Sequence, residues 1–346
     1  MASQGDLTLQ RLWYEGRSRW LLIVLFPLSL LFRLVAAVRR IGYRSGILQV
    51  RHVSRPLIVV GNITVGGTGK TPFVMWLTQF LQAQGRRVGV VLRGYGGDSA
   101  HWPRDVHAET PTSEVGDEAV LHALRTGAIV VAGPDRVAAA ARAIELGAEI
   151  VVCDDGLQHY RLGRDAEIAV ADAQRGFGNQ LLLPAGPLRE PVSRLRSVDL
   201  LVKTLRSASP SQPLVVGLAE IVAQAHVGDA IGLATRRTRS LESFRGTRVH
   251  AIAGIGNPQA FFTSLRDAGL DIIEHPHPDH VALKREDIVF DDVAPVVMTE
   301  KDAVKCRTWA DERHWAVRLE TVVSPEDSAR VSRLIETVMR SHAGTR

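Results

Sequence analysis

The sequence of 346 residues predicts an α/β protein: a parallel sheet with helices on both faces, a second, smaller α/β domain, and an N-terminal membrane-associated helix. Three observations predict it. From residue 56 onward, short apolar runs alternate with stretches long enough for crossover helices, a pattern typical of βαβ units. A second series of this kind follows residue 249. The most apolar stretch of the chain precedes both series.

We therefore divide the chain into four parts. An N-terminal membrane-associated segment covers 1–55, and the larger domain covers 56–218. A connecting hairpin or linker covers 219–248, and the smaller domain covers 249–346. Two domains suit this length, because a single core usually serves about 150 residues.

The positive charge of the chain is concentrated at one end. The net charge is +5, yet residues 1–55 hold nine arginines against only two acidic residues. The remainder, with 33 of the 42 basic and 35 of the 37 acidic side chains, is slightly acidic. Because no basic face covers the main domain, we expect no nucleic-acid partner. Two cysteines, Cys153 and Cys306, are too few for a disulfide framework or a four-cysteine zinc site, and indicate a reducing, cytosolic environment.

The apolar N-terminal stretch, Leu21–Phe32, has twelve residues before Arg33 interrupts it. A helix needs about 20 apolar residues to cross a bilayer, and an arginine near the centre of a longer span costs about 2.5–3.5 kcal/mol. Acidic residues before the run argue against a signal peptide. We therefore expect a helix that lies in the membrane surface with its arginines against anionic lipid. The aromatic residues expected at headgroup depth are Trp13, Tyr14 and Trp20. The alternative is a helix packed on the protein's own core.

The predicted elements follow in chain order. The strands of the larger domain are Leu57–Val60, Val88–Leu92, Ala128–Val131, Ile150–Cys153 and Ile168–Ala171, and its helices are Pro72–Gln84, Glu118–Arg125 and Arg136–Leu146. The polar segment Ser207–Pro213 predicts a loop, and the arginine-rich Ala219–Thr247 predicts the connecting hairpin. The strands of the smaller domain are Val249–Ala253, Ile272–Glu274 and Pro295–Met298, and its helices are Pro258–Ala268 and Pro325–Ser341.

A glycine-rich turn, GNITVGGTGKTP (61–72), directly follows the first predicted strand. It fits the phosphate-binding pattern G-x-x-x-x-G-K-[ST] except at its first position, which is Thr64. Backbone N–H groups at a helix start bind phosphate, Lys70 would neutralise phosphate oxygens, and the Thr71 hydroxyl would ligate Mg²⁺. The predicted nucleotide-binding residues are Thr64, Val65, Gly66, Gly67, Thr68, Gly69, Lys70 and Thr71. The larger domain is thus predicted to be of the P-loop NTPase type. The alternative is a glycine-rich turn that binds no phosphate.

Two carboxylates end the predicted strand Ile150–Cys153. Asp154 and Asp155 precede Gly156, at the sheet edge where the carboxyl ends of parallel strands meet. There they would reach the Mg²⁺ held by Thr71; the alternative is that they only shape a turn. The segment 299–302 (TEKD) departs from the guanine-reading motif [NT]-K-x-D, because Glu precedes its lysine. Guanine specificity is therefore not supported.

A kinase that acts on an alcohol needs a base near the hydroxyl and cations for the developing charge. The candidate bases are Asp117, Glu118 and His280, and the candidate cations are Arg93, Arg136, Arg175 and Arg189. Taken singly, Asp117 is equally well explained as a helix N-cap, His280 as a surface-loop histidine, and the arginines as surface residues.

Nine blocks, taken in order, resemble the tetraacyldisaccharide 4′-kinase family, the lipid A 4′-kinases of Gram-negative bacteria. They are GNITVGGTGKTP (61–72), RGYGG (93–97), GDE (116–118), DDGLQH (154–159), RGFGN (175–179), LLPAGPLREP (182–191), AGIGNP (253–258), PDH (278–280) and TEKDAVK (299–305). The resemblance spans roughly residues 10–330, and its DDGLQH and LLPAGPLREP blocks are more specific than the phosphate loop.

The resemblance implies ATP-dependent phosphorylation of the 4′-hydroxyl of a tetraacylated glucosamine disaccharide 1-phosphate, which gives the lipid IVA precursor. It implies ATP and Mg²⁺ as cofactors, and the acylated disaccharide lipid and the cytoplasmic face of the inner membrane as partners, with no obligate protein partner. It also implies two α/β/α domains joined by a two-stranded linker, with the active site in the cleft between them.

Carried over by motif, the resemblance implies a base dyad of Asp117 and His280. It also implies a metal site at Asp154 and Asp155. Lys70 of the phosphate loop is the third catalytic candidate. Because Asp117 and His280 fall in different predicted domains, we expect closure of the cleft to complete the dyad.

The substrate candidates are Arg93, Gln158, His159 and Arg189, of which Gln158 and His159 belong to the DDGLQH block. Leu157 stands where the family commonly has Phe, and Ala119 where it often has Pro; neither change removes a chemical group. The rival function is a membrane-associated P-loop ATPase switch of the partitioning or targeting type, whose output is a conformational change.

Overall fold

Thirteen strands of the described residues form one mixed sheet in this computed structural model, which describes residues 9–18, 20–205, 213–215, 217–279 and 281–344. The strands are β1 (Leu57–Gly61), β2 (Val88–Leu92), β3 (Arg104–Val106), β4 (Ile129–Ala132), β5 (Ile150–Asp154), β6 (Ala166–Asp172), β7 (Leu200–Leu205), β8 (Glu220–Gly232), β9 (Thr238–Arg239), β10 (Arg248–Ala253), β11 (Asp271–Pro276), β12 (Val296–Thr299) and β13 (His314–Val323). The α-helices are α1 (Leu21–Arg44), α2 (Lys70–Ala83), α3 (Thr112–Val115), α4 (Asp117–Thr126), α5 (Arg136–Glu145), α6 (Pro258–Asp267), α7 (Glu300–Cys306) and α8 (Pro325–Gly344). The sheet order is β11-β10-β12-β13-β8-β7-β6-β1-β5-β2-β4-β3, and β9 pairs with β8 beside this path.

In the first half of the sheet, β1 lies between β5 and β6 and pairs parallel with both. All five of its residues are buried, because both faces of the strand are covered. Ile58 and Val60 belong to a core formed with α2, α4 and α8, whereas Leu57 and Val59 belong to a core formed with α5 on the opposite face. The prediction of a parallel sheet with helices on both faces is confirmed.

The second half is smaller and repeats this layering. β10 pairs parallel with β11 and β12, and β12 pairs parallel with β13. On one face, Phe261, Phe262 and Leu265 of α6 pack on the sheet. On the other face, Ile288 and Cys306 pack against β12.

The strand β8 joins the two halves. Glu220–Gln224 pair parallel with β7, and Ala223–Gly232 pair antiparallel with β13. The parallel strands of the second half therefore run opposite to those of the first and lie further along β8. As a result, the carboxyl ends of the two sets of strands face each other. Gln224 lies opposite the end of β7, and Ala230 lies opposite Val317 at the level where β12 ends. Gln224 and Ala230 are six positions apart along β8, so the two edges are separated by about 20 Å.

The connection differs from the predicted hairpin over Ala219–Thr247. The return strand of that hairpin, β9, has only two residues, and the main partner of β8 is β13, which lies outside the predicted segment. The predicted loop Ser207–Pro213 lies outside the described residues except for Pro213. The boundaries of the four proposed parts stay a prediction.

The N-terminal helix α1 is longer than the apolar run that predicted it. Its 24 residues continue through Pro27 and Arg33, with a mean hydropathy of 2.6 in its most apolar window. At about 1.5 Å per residue such a helix is about 36 Å long, so by length and composition it could cross a bilayer. Only 6% of that window is buried, which contradicts the alternative of a helix packed on the core. Ser29 is its buried residue, and its hydroxyl donates to the carbonyl oxygen of Leu182 at 2.7 Å.

One of the three aromatic residues expected at headgroup depth lies elsewhere. Trp13 is buried, and its Nε1 donates to the carbonyl oxygen of Pro184 at 3.0 Å. The expectation is wrong for Trp13, because the protein itself satisfies the indole N–H. Tyr14 is half-buried with the Arg175 guanidinium 5.4 Å from its ring centre, and Trp20 is 67% exposed.

An ion pair between Arg125 and Glu300 fastens α4 in the first half to α7 in the second. Arg125 Nη1 lies 2.7 and 2.6 Å from the two carboxylate oxygens of Glu300, and both side chains are mostly buried. We expect Glu300→Gln to lower the free energy of unfolding by about 3 kcal/mol, because it leaves a mostly buried guanidinium without its counter-charge. Urea unfolding followed by tryptophan fluorescence measures this. Glu326→Gln, which removes the exposed pair with Arg330, is the control and should change little. Equal unfolding midpoints for the two variants would contradict this role.

Candidate active site

A cavity of about 930 Å³ lies in the gap between the carboxyl edges of the two halves of the sheet. The first half contributes the phosphate loop, the loop after β2 and the end of β5. The second half contributes Gly256, Asp279 and Lys301. Alternate residues of β8 (Ala223, Ala225 and Val227) and residues of β13 line the cavity between the two halves.

The phosphate loop has the geometry that its sequence predicts. It joins β1 to α2, and the positive φ angles of Gly66 (97°) and Gly69 (79°) reverse the chain before the helix begins at Lys70. The buried Asn62 side chain donates to the Thr68 hydroxyl at 3.0 Å, and the Thr204 hydroxyl of β7 donates to the Thr68 carbonyl oxygen at 2.9 Å. Asn62 and Thr204 of β7 thus both hold Thr68, and with it the loop, in place. Residues 65–71 line the cavity, and Thr64 is buried behind them.

A second segment, 182–191, supports the phosphate loop from the other side. The Val65 N–H donates to the Pro187 carbonyl oxygen at 2.8 Å, and the Arg189 N–H donates to the Ile63 carbonyl oxygen at 2.7 Å. These backbone bonds bring the Arg189 side chain to the cavity.

Asp155 lies between two cations. Its carboxylate is 3.6 Å from Lys70 Nζ and 3.0 Å from Arg189 Nη1. Burial would raise the pKa of Asp155, but the charges of Lys70 and Arg189 outweigh it and hold this pKa below its usual value. Arg189 also donates to Gln158 Oε1 at 3.2 Å, while Gln158 Nε2 donates to the Asn62 carbonyl oxygen. Asp155 therefore fixes both cations at the phosphate loop.

Asp154 differs from its neighbour. It is buried, and its Oδ2 lies 3.1 Å from Nε2 of the buried His122 on α4. Its Oδ1 has no hydrogen-bond partner among the described residues. Asp154 and Thr71 both line the cavity, and a buried carboxylate oxygen without a hydrogen-bond donor is a favourable ligand for a hard cation such as Mg²⁺. The described residues hold no cluster of three His, Cys, Asp or Glu side chains that would bind a metal alone, so further ligands would come from phosphate or water. Sequence reasoning missed His122, because a single histidine in an amphipathic helix carries no signal of its own.

Asp117 is the first residue of α4 and is 5% exposed. Its Oδ1 accepts from the Glu118 N–H at 2.8 Å, so it does not cap the helix in the usual way. Its Oδ2 faces two lysines of α7, at 3.6 Å from Lys305 Nζ and 3.9 Å from Lys301 Nζ. His280 lies outside the described residues; its described neighbour Asp279 accepts from Lys301 Nζ at 2.8 Å.

His159 and Arg93 are the remaining substrate candidates, and the charges of several arginines act on His159. Burial first, and then the Arg136 guanidinium, lower the pKa of His159 to about 4. Its Nε2 is buried with no hydrogen-bond partner in the described ranges. Arg39 of α1 lines the same cavity. Arg93, in the loop after β2, lines it as an exposed residue.

A glycine-rich loop between β1 and α2, with a carboxylate at the end of the adjacent strand β5, is the arrangement of the P-loop class of nucleotide-binding proteins. Comparison with known proteins then identifies the kind. The family model for tetraacyldisaccharide-1-P 4′-kinase matches residues 21–340. The chain belongs to this family, so the prediction of a lipid kinase is confirmed and the ATPase-switch alternative is not favoured.

Curated relatives agree with the family model. The tetraacyldisaccharide 4′-kinase of Nitrosococcus oceani is 45% identical over 338 residues, which cover 97% of this chain and 96% of that one. The corresponding protein of Stenotrophomonas maltophilia is 47% identical, with 92% of this chain and 94% of that one covered. Among solved structures, LpxK from Aquifex aeolicus in complex with ATP matches with a TM-score of 0.79 and 28% identity, covering 93% of this chain and 99% of that one.

The RGYGG and GDE blocks pack against each other through glycines. Gly116 has φ 83° and ψ 159°, which only glycine adopts without strain, and a methyl group there would overlap the Tyr95 carbonyl oxygen. We expect Gly116→Ala to destabilise the fold by about 2–4 kcal/mol and to weaken nucleotide binding, because both loops must move. Gly127→Ala is the control: it also has positive φ but open space around it, and should cost about 1 kcal/mol. Thermal unfolding and nucleotide titration measure both, and equal losses would contradict the packing argument.

The low pKa of His159 predicts a pH dependence of stability. Above pH 6.5, its ordinary pKa, this histidine is neutral in both the folded and the unfolded chain. Between pH 6.5 and about 4 the unfolded chain takes up a proton that the folded chain does not, so stability is lost as the pH falls. His159→Gln removes this contribution. We expect its urea midpoint to fall less than that of the parent chain between pH 7 and pH 4.5, and parallel curves would refute the assignment.

Proposed function

We propose that the chain transfers the γ-phosphoryl group of ATP to the 4′-hydroxyl of a tetraacyldisaccharide 1-phosphate, forming lipid IVA. One observation carries the proposal: the cavity that contains the phosphate loop and Asp154 is also lined by Glu118 and Lys301, which lie beside Asp117. The candidate base therefore lies next to the space that would hold the nucleotide, as phosphoryl transfer to an alcohol requires.

The phosphate groups would lie on the backbone N–H groups of residues 66–69, at the amino end of α2, with Lys70 against their oxygens. Thr71 and Asp154 would hold Mg²⁺ together with phosphate oxygens, and Asp155 would act beside them by orienting Lys70 and Arg189. When bound, Mg²⁺ would supply positive charge to offset the negative charge that develops on the transferred phosphoryl group. The orphaned oxygen of Asp154 supports this assignment.

Asp117, with His280 as its partner, would accept the proton of the attacking hydroxyl. Two lysines beside its carboxylate favour the ionised, proton-accepting form. Arg93, Gln158, His159 and Arg189 are proposed to contact the polar and anionic groups of the substrate. Their positions along the cavity wall support this.

The acylated substrate resides in a membrane, and we propose that the chain works at the cytoplasmic face of the inner membrane. The exposed apolar surface of α1 supports this location, with side chains such as Ile23, Leu31 and Val35 turned outward. Arginines of this helix such as Arg33, Arg40 and Arg44 would meet anionic headgroups. We also propose that the parts 56–218 and 249–346 close around the substrate and thereby bring Asp117 and His280 together.

Single-turnover chemistry with γ-labelled ATP and the lipid substrate in mixed micelles tests the reaction. We expect the label in an organic-extractable lipid, whereas release only as free phosphate would support an ATPase switch. Asp117→Asn should lower the rate of transfer by about 100- to 10,000-fold with little change in the KM for ATP, because it removes the base. Asp267→Asn, on the exposed surface of α6, is the control. A rate for Asp117→Asn equal to that of the control would remove Asp117 from this role.

A further inference from the structure

Lys301 occupies an unusual position for a lysine. It lies in the first turn of α7, where the helix dipole disfavours a cation. Its side chain is only 13% exposed. A lysine held in such a place is stabilised by its surroundings, and the surroundings here are acidic.

Three carboxylates surround the Lys301 ammonium. Its Nζ lies 2.8 Å from Asp279 Oδ1, 3.4 Å from Glu118 Oε1 and 3.9 Å from Asp117 Oδ2. Burial would lower the pKa of Lys301, but Glu118, Asp117 and Asp279 together raise it, so the side chain carries its charge throughout the physiological range.

These carboxylates belong to both halves of the sheet. Asp117 and Glu118 begin α4 in the first half, whereas Asp279 follows β11 in the second half and directly precedes His280 in the chain. The neighbouring Lys305 also faces Asp117, at 3.6 Å, and is itself held by Asp302 at 3.0 Å. Lys301 is thus the cation that contacts the proposed base on one side and the segment leading to its proposed partner on the other.

We propose that Lys301 is a positioning residue, whose ammonium joins the Asp117–Glu118 corner to Asp279 and so sets the position and the ionisation of the base. This inference rests on the proposed function. Without Lys301, the carboxylates of Asp117 and Glu118 would repel that of Asp279, and Asp117 would lose a lysine that offsets its negative charge and favours its ionised form.

The test compares Lys301→Met, Lys301→Arg and the exposed-site control Lys284→Met in the full-length chain. For Lys301→Met we expect kcat to fall about tenfold to a hundredfold with the KM for ATP nearly unchanged, because the base is misplaced while the phosphate loop is intact. The acid limb of kcat/KM should move to higher pH by roughly one unit, since the pKa of Asp117 rises. Lys301→Arg keeps the charge and should retain the acid limb of the parent chain, with an intermediate kcat.

Thermal unfolding checks that each variant folds, and Lys301→Gln replaces Lys301→Met if the methionine variant does not fold.

Two results would overturn the proposal. One is a kcat for Lys301→Met equal to that of Lys284→Met. The other is a lower kcat with an unmoved acid limb and no recovery in Lys301→Arg, which would mean a purely structural role. The parent chain separates this proposal from the previous one: if it transfers no label to the lipid, the proposed function fails before any variant is compared.

Discussion

The active site depends first on the register of a single strand. β8 pairs parallel with β7 over its first residues and antiparallel with β13 over the rest, so the second half of the sheet is displaced along β8 and inverted. Carboxyl ends of parallel strands are where ligands bind in open α/β sheets. Inverting one half sets two such edges against each other, and the gap of about 20 Å between them is wide enough for a nucleotide and a sugar acceptor side by side. Ala223, Ala225 and Val227 line this gap with small or short side chains, which leave the space open.

The charges around this gap are arranged so that adjacent carboxylates differ in role. Asp154 and Asp155 are sequence neighbours, but Asp155 adopts a positive φ of 49° that turns its carboxylate toward Lys70 and Arg189, whereas Asp154 faces His122. Asp155 pairs with cations and stabilises the phosphate loop. Asp154 keeps an oxygen that no described donor satisfies, and a bound cation would offset the desolvation cost of that oxygen.

Local sequence signals predicted most of the first half and only part of the site. The strand Val88–Leu92 was predicted to the residue, because an uninterrupted apolar run between helical stretches has few other interpretations. β7 and β13 were not predicted: the first contains Lys203, which the fold neutralises with Glu220, and the second alternates charged and apolar residues. The phosphate loop could be predicted because its residues are consecutive in the sequence. Lys301 had no predicted role of its own, although it lies in the TEKDAVK block. Its contacts are with Glu118 and Asp279, of which Glu118 is far away in sequence and close only in the fold.

The segment 182–191 shows why a loop without catalytic groups carries so specific a sequence. Its backbone accepts from Ser29 and Trp13 of the N-terminal segment through Leu182 and Pro184, and it bonds to both sides of Thr64 through Pro187 and Arg189. The same ten residues therefore touch the apolar helix and the phosphate loop. A movement of α1 would reach the loop through the Ser29 side chain and then through these backbone bonds. One short stretch of chain thus connects the N-terminal segment to the phosphate loop.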